Sequence, residues 1–193
     1  MHKAAIWIAA AVLLVLGVWA CNSDRKLTWE EQTTAPGYGA IVVRRTLLYE
    51  PYHVLGGPAG RLDHGEIAQL IDPSTLSRIG PPLKFMGRLM LIENDKATNR
   101  LSLTAVLTSC AATKEYGKPV PRYAKWVLNS TLNEWVRIPI ESSDIGKKAN
   151  LLTTYAIDDM PEVVTGEYRK SHQMCDGYQI RTCQIISYIT DGC

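Results

Sequence analysis

Met86 to Cys110 constrains this chain more than any other stretch. Two apolar arms, MGRLMLIEN and RLSLTAVLTSC, flank the polar turn Asp95-Lys96-Ala97-Thr98. In the second arm Leu101, Leu103, Ala105 and Leu107 recur at every second position. Ser102, Thr104 and Thr108 alternate with them, and Val106 is the exception. Side chains on a strand point to opposite faces in turn, so this spacing predicts an antiparallel hairpin with one buried face. Ala124, Trp126 and Leu128, then Val136, Ile138 and Ile140, alternate in the same way across Thr131-Leu132-Asn133-Glu134 and predict a second hairpin. Tyr38 to Glu50 (YGAIVVRRTLLYE) reads as a strand ended by Pro51, with Arg44 and Arg45 at its rim. Leu151–Ile157 and Tyr178–Thr190 read as strands, and Asp158 to Pro161 as a turn. Glu66–Ile71 and Ser74–Ile79 read as single helical turns, closed by Asp72-Pro73 and Gly80-Pro81-Pro82. About six to eight strands with few helices predict a mainly β fold, an antiparallel sandwich or partly open barrel.

The first 21 residues carry a different signal. Lys3 gives a positive start, Ala4 to Val18 is an uncharged apolar run, and Val18-Trp19-Ala20 precedes Cys21. That is the pattern of a secretory signal. The segment resembles the lipobox of bacterial lipoproteins. Ala20 and Cys21 match it, Val18 stands where Leu is usual, and Trp19 departs from the usual small residue. The resemblance covers this signal alone. It implies cleavage after Ala20 and acylation of Cys21. With Asn22 rather than Asp next in line, it implies an outer-membrane anchor facing the periplasm. As an uncleaved helix, Ala4 to Ala20 would reach only about 25 Å, short of a hydrocarbon core of about 30 Å. The chain then divides into a signal peptide (1–20), a lipidated cysteine with a polar tether (21–37) and one globular domain (38–193). A short helix around Trp29-Glu30-Glu31 fits within the tether, whose residues 22–37 would span about 20–24 Å as a flexible segment.

Charge narrows the partners. With Lys3 removed, 20 basic residues face 19 acidic ones, and the mature net charge is +1. No basic footprint for nucleic acid is present. The aromatic residues are Tyr and Trp with a single Phe, Phe85, a composition that suits surfaces where one end of a ring stays wet. Beyond Cys21 the cysteines are Cys110, Cys175, Cys183 and Cys193. An even number in an oxidising compartment predicts two disulfides. If Cys183 to Ile189 is one strand, its ends lie roughly 20 Å apart, and four more residues retrace at most about 14 Å. That leaves Cys193 too far from Cys183 to bridge it. The favoured pairing is Cys175–Cys183 with Cys110–Cys193. If Asp176-Gly177 is a tight hairpin turn, Cys110–Cys183 with Cys175–Cys193 takes its place. His172 with these cysteines lacks a paired C-x₂-C, and oxidation competes for the thiols, so neither a metal nor a cofactor is expected.

The motifs of common enzymes are missing: G-x-S-x-G, H-E-x-x-H, the Walker loop and the Rossmann glycines. Ser23 and Lys26 satisfy S-x-x-K only within the tether. Asp63-His64-Gly65-Glu66 could supply a base and its orienter but reads as a solvated turn. It belongs to a Gly/Pro-rich loop over residues 51–66, and long loops on rigid β scaffolds often carry function. The partner contact is therefore expected at Tyr52, His53, Arg61 and His64. The leading expectation is a non-enzymatic lipoprotein that binds another protein, such as an immunity protein against a periplasm-acting toxin of a type VI secretion system. The alternatives are an assembly or secretion accessory at the outer membrane and an envelope hydrolase using the 51–66 loop.

Overall fold

The computed structural model describes residues 25–53, 59–95, 99–153, 160–172 and 185–187. Within them the chain runs up and down through two sheets. The first holds β1 (Arg25–Ala35), β2 (Gly39–His53), β3 (Ala59–Ile71) and β4 (Arg78–Phe85), each antiparallel to the one before. The second holds β5 (Arg88–Asp95), β6 (Arg100–Val106), β7 (Tyr123–Asn129) and β8 (Glu134–Ile138) in the same meander. A short β9 (Val163–Val164) adds to the free edge of β1, parallel to it. Two α-helices, α1 (Cys110–Glu115) and α2 (Gly166–His172), and a 3-10 turn at Ser142–Asp144 complete the described residues. No helix there is long and apolar enough to cross a membrane. The mainly β, mostly antiparallel expectation holds, and the two sheets do not close into a barrel.

The sheets face each other over one core. Ile41, Val43, Ala68, Leu70 and Phe85 come from the first; Leu89, Ile92, Leu101, Leu103, Ala105, Ala124 and Trp126 come from the second. The alternation in β6 thus points as the sequence demands, with Leu107 also in the core. Ser102 and Thr104 depart from it, because they are buried too. The outer face of the second sheet is covered by the segment after β8, and Met90, Leu91, Val106, Tyr123 and Ile186 form a separate cluster there.

Each seam between the sheets is fastened by a different device. Beside β4 and β8, the Trp135 indole donates to the Pro81 carbonyl at 2.8 Å. Beside β1 and β5, the Asn150 side chain works as a clasp: its amide nitrogen donates to the carbonyls of Thr34 (3.0 Å) and Ile92 (2.7 Å), and its oxygen accepts from Ile92 N–H (2.9 Å). Two glycines permit close approach at the end where β4 turns into β5. A Cβ on Gly65 would sit 2.3 Å from the Phe85 carbonyl oxygen, and one on Gly87 would sit 2.4 Å from that of Val106. Both have positive φ, +102° and +118°, a region that other residues enter only with strain.

Several local expectations are overturned. Residues 25–35, read as tether, are a strand paired along its whole length with β2, and Trp29 is buried. Glu66–Ile71 is strand rather than helical turn, and Ser74–Ile79 is a turn leading into β4. The 51–66 segment is not an open loop: β2 and β3 continue as a paired hairpin to His53 and Ala59. Pro51 does not stop β2: the strand continues in register with β3, Pro51 opposite Arg61, to His53. Arg44 lies at the surface against Glu30, as a rim residue should, but Arg45 is fully buried. α1 is capped by the Ser109 hydroxyl, which accepts from Ala112 N–H. Of the expected strands Leu151–Ile157 and Tyr178–Thr190, residues 151–153 are not strand and 185–187 make only the single bridge Lys148–Ile185; residues 154–157, 178–184 and 188–190 lie outside the described residues, as do Cys21, Cys175, Cys183 and Cys193. Cys110 is exposed and disulfide-bonded at the start of α1.

Candidate functional site

Strand direction sorts the connections into two ends. At one end all links are short: Ala35 to Gly39, Asp72 to Ser77, Asp95 to Arg100 and Asn129 to Glu134. They are built from local hydrogen bonds, with the Asp72 carboxylate accepting from Ser74 N–H and hydroxyl and the Asn129 side chain accepting from Thr131 and Leu132 N–H. The Ser74 hydrogen bonds hold the Asp72 carboxyl below its ordinary value. The other end gathers the long features: the β2–β3 hairpin, the 107–122 connection with α1, and the chain leaving β8. Arg25, where β1 begins, lies there too, opposite Tyr49.

The hairpin stands out as an arm. β4 ends opposite Glu66 and the described part of β1 begins opposite Tyr49, while the β2–β3 pairing runs on from Tyr49–Asp63 to His53–Ala59. The register slips once at its base, where Leu48 pairs with Gly65 and Tyr49 with Asp63, leaving His64 as the extra residue of a bulge. Arg88 on β5 is ion-paired to Asp63 and fixes that base to the second sheet. Tyr52, His53 and Arg61 belong to the arm by their backbone pairing; their side chains lie outside the described residues. His64 is half exposed and 3.5 Å from Glu50. Asp63 is engaged with Arg88 and Glu66 with Arg45, so the Asp63-His64-Glu66 run does not converge as a base and its orienter.

A groove of about 300 Å³ opens at the same end in the second sheet, lined by Tyr116, Pro119, Val120, Pro121, Arg137 and Pro139 among others. Its floor is fixed by packing. The Tyr116 ring stands edge-on to Trp126 at 5.7 Å, Trp126 lies 5.5 Å from Phe85, and the Tyr116 hydroxyl accepts from Met86 N–H at 3.0 Å. The Arg137 guanidinium sits 5.5 Å over the Tyr116 ring. Val120 on the rim is 73% exposed, unusual for an apolar side chain beside a cavity. Burial pushes the Tyr116 and Tyr123 hydroxyls above their ordinary values, so neither serves as a base near neutrality. The lining supplies stacking, apolar contact and one fixed cation. It supplies no carboxylate, thiol or imidazole. The sequence marks its 111–121 segment as breaker-rich, but nothing local shows that Arg137 and Pro139 close over it.

Two buried ionic clusters stiffen the sandwich. Arg45, with no exposed side-chain area, donates to Glu31 (2.8 Å), to both oxygens of Glu66 (2.9 Å each) and to the carbonyls of Leu152 (2.6 Å) and Leu89 (3.1 Å). Its guanidinium lies 5.0 Å over Trp29. Arg169 of α2 reaches Glu31 at 3.1 Å. In the second cluster Lys125 meets Asp95 and Asp144, and Lys147 meets Asp144 and Glu93. The oxygens of Glu93, Asp95 and Asp144 lie within 4.8 Å of one another, close enough for a cation, but the two ammonium groups already occupy that role. Burial opposes the charge on Asp144, yet the hydrogen bonds from Lys125 and Lys147 outweigh it and hold its carboxyl below the ordinary value.

No family model matches the chain, and neither a curated protein nor a solved structure does.

Proposed function

We propose that the protein is a lipid-anchored, periplasm-facing lipoprotein of the bacterial outer membrane that binds another protein. Its most concrete form is an immunity protein that neutralises a periplasm-acting toxin, such as a type VI secretion effector. One observation carries the binding reading: the fixed groove with exposed Val120 on its rim and Arg137 stacked on Tyr116. Arg and Tyr are the side chains that most often dominate interface energetics, and rigid rings lose little entropy on contact. The lipid anchor is supported by the Val18-Trp19-Ala20-Cys21 segment. In this reading two disulfides, Cys175–Cys183 and Cys110–Cys193, staple the exported domain, and non-reducing peptide mapping identifies them; a fragment joining Cys110 to Cys183 supports the alternative pairing.

The test is competition. A strain lacking the gene is grown with its toxin-delivering parent, and should be killed unless complemented. Complementation with Val120→Asp/Arg137→Glu should fail while the variant folds and reaches the envelope at normal levels. Equal survival of the deletion strain refutes the immunity reading. Full protection by the double variant removes the groove from the contact.

A further inference from the structure

The outer face of the second sheet buries Lys125 against two carboxylates, and one of these is placed to react with it. We propose that the Lys125 amine and the Asp95 carboxyl condense into an intramolecular amide, with the Asp144 carboxylate carrying the proton. The inference concerns a covalent modification of the fold and stands independently of the proposed function. β6 lies between the two strands concerned. By their register, Leu91, Glu93 and Asp95 of β5, Ser102 and Thr104 of β6 and Lys125 of β7 share that face. Ser102 and Thr104 are small and buried, which leaves room for the Lys125 stem to cross β6 and reach the end of β5. Asp144 comes from the 3-10 turn that covers the same face.

Lys125 Nζ lies 2.5 Å from Asp95 Oδ2 and 2.8 Å from Asp144 Oδ1. The Asp95 Cγ is one C–O bond further on, so it is at most about 3.7 Å from the nitrogen, close to the separation of about 3–3.5 Å at which groups react. The Lys125, Asp95 and Asp144 side chains are 1%, 6% and 1% exposed. Out of water, an ammonium and a carboxylate gain by passing one proton between them and becoming neutral. The amine then faces a carboxylic acid. Its lone pair attacks Asp95 Cγ and a C–N bond forms. Asp144 takes a second proton from the nitrogen and hands it to the departing hydroxyl. The C–O bond breaks and water leaves. One ammonium and one carboxylate thus become one secondary amide and one water, Asp144 is restored as a carboxylate, and no further reactant is consumed. Groups held in this way can reach an effective concentration of about 10⁵–10⁸ M, which favours a condensation that water would otherwise reverse. Asp144 is aimed by its other contacts: Oδ2 accepts from Glu141 N–H at 3.0 Å, and Oδ1 accepts from Lys147 at 2.6 Å. Lys147 is the poorer nucleophile. Its side chain is 26% exposed. Burial opposes its charge, but the hydrogen bonds to Asp144 and Glu93 outweigh it and hold the ammonium above its ordinary value.

The amide ties the end of β5 to β7 and closes a loop over residues 95–125, which carries the 116–121 wall of the groove. Unlike a disulfide, it survives reductant. The test is tryptic mapping of the full chain after reduction and denaturation, together with the intact mass of the Cys21→Ala variant. That mass should be one water below the mass of its sequence. An amide on Lys125 blocks cleavage there, so residues 123–137 should stay whole and be joined to residues 89–96 in one branched peptide. Lys125→Arg and Asp95→Ala should each restore the full mass. Asp144→Asn should lower the cross-linked fraction at least tenfold at equal time after synthesis, in a chain whose circular dichroism keeps the β signal. A wild-type chain of full mass that yields residues 89–96 and 123–125 as separate peptides overturns the proposal without recourse to any variant. So does a chain one water lighter that lacks the branched peptide, as closure of Asp95 on its own backbone would give. A branch at Lys147, or a Lys125→Arg chain that is still one water lighter, overturns the choice of this pair. An Asp144→Asn chain that cross-links as completely as the wild type overturns the part given to Asp144.

Discussion

Replacing Arg45 by Met tests how the inner face of the first sheet tolerates charge. Methionine fills much of the space of the arginine stem, so the change is mainly electrostatic. It removes the hydrogen bonds to Glu31, Glu66 and the Leu152 and Leu89 carbonyls, together with the stacking on Trp29. Adding about 1.5–3 kcal/mol for each charged hydrogen bond would overstate the loss. Glu31 keeps Arg169 and the Leu152 N–H at 2.7 Å, and Glu66 keeps the Leu89 N–H at 3.2 Å with Arg88 at 3.8 Å. The expected cost is therefore that of breaking one buried pair, about 3–5 kcal/mol. In a domain of this size that is a fall in Tm of roughly 6–20 °C. Urea unfolding of the mature chain with Cys21→Ala, followed by tryptophan fluorescence, should show a lower midpoint at unchanged m value. Arg45→Met/Glu31→Leu/Glu66→Leu removes the stranded carboxylates along with the cation and should recover most of the loss, because apolar replacement of a complete buried cluster is often neutral. A single-variant cost below about 1 kcal/mol would refute the reasoning. A triple variant less stable than the single one would do the same.

Further outcomes follow from other contacts. Gly87→Ala should lower stability by at least about 2 kcal/mol, since its Cβ meets the Val106 carbonyl at a positive φ; a neutral effect in the same urea assay would show that β4 and β5 can part freely. Asn150→Ala leaves backbone groups of Thr34 and Ile92 without the clasp and should cost about 1–3 kcal/mol, with faster amide exchange along β1 and β5 than in the β6–β7 pair. Asp144 is held below its ordinary 3.8, so its contribution is present above that pH and lost as pH falls through the lower folded value. Lys147 is held above 10.5, so its contribution is present below that pH and lost as pH rises through the higher folded value. Urea midpoints from pH 2 to 12 should fall at both extremes, and Asp144→Asn should flatten the acid limb; an unchanged acid slope contradicts the assignment. His64→Ala removes only a half-exposed contact and should change stability by less than about 0.5 kcal/mol and leave protection of the strain intact; a folded variant that has lost protection would bring back the enzymatic reading of the 51–66 segment.

The hairpins of the second sheet were legible because most inward positions are apolar, and Leu101, Leu103, Ala105, Ala124 and Trp126 announce a period of two; β8 departs from the expected face, with Trp135 packed on the core and Val136 42% exposed. β1 was not, although it obeys the same period. Its inward residues are Trp29, Glu31, Thr33 and Ala35, and the two polar ones are satisfied by partners more than 100 residues away, Leu152 N–H on Glu31 and the Asn150 carbonyl on Thr33. A hydrophobic count takes such a strand for a tether. Arg45 was misplaced for the same reason, since only the folded chain shows that Glu31 and Glu66 await it. β4 was hidden by Pro81-Pro82, which an edge strand accepts because its outer amides have no ladder to serve. The arm was hidden by Gly and Pro, which read as a loop until the register is known. The groove has no local signature, because it exists only where residues 116–121 meet the end of β8.

The position of β9 and α2 on the free edge of β1 also sets an order of events. Glu31 is bound by Leu152, 121 residues later, and by Arg169, 138 residues later. Loops of that size close slowly, and folding slows as native contacts join more distant parts of the chain. A polypeptide that leaves a membrane with its amino terminus first would expose the outer edge of β1 and an uncapped Glu31 until most of its length had followed. An unpaired strand edge is a template for any extended chain nearby. For a chain exported as proposed, the interval between emergence of Ala35 and emergence of Arg169 is when it is most prone to aggregate, and slowing translocation should lower its yield more than lowering its final stability does.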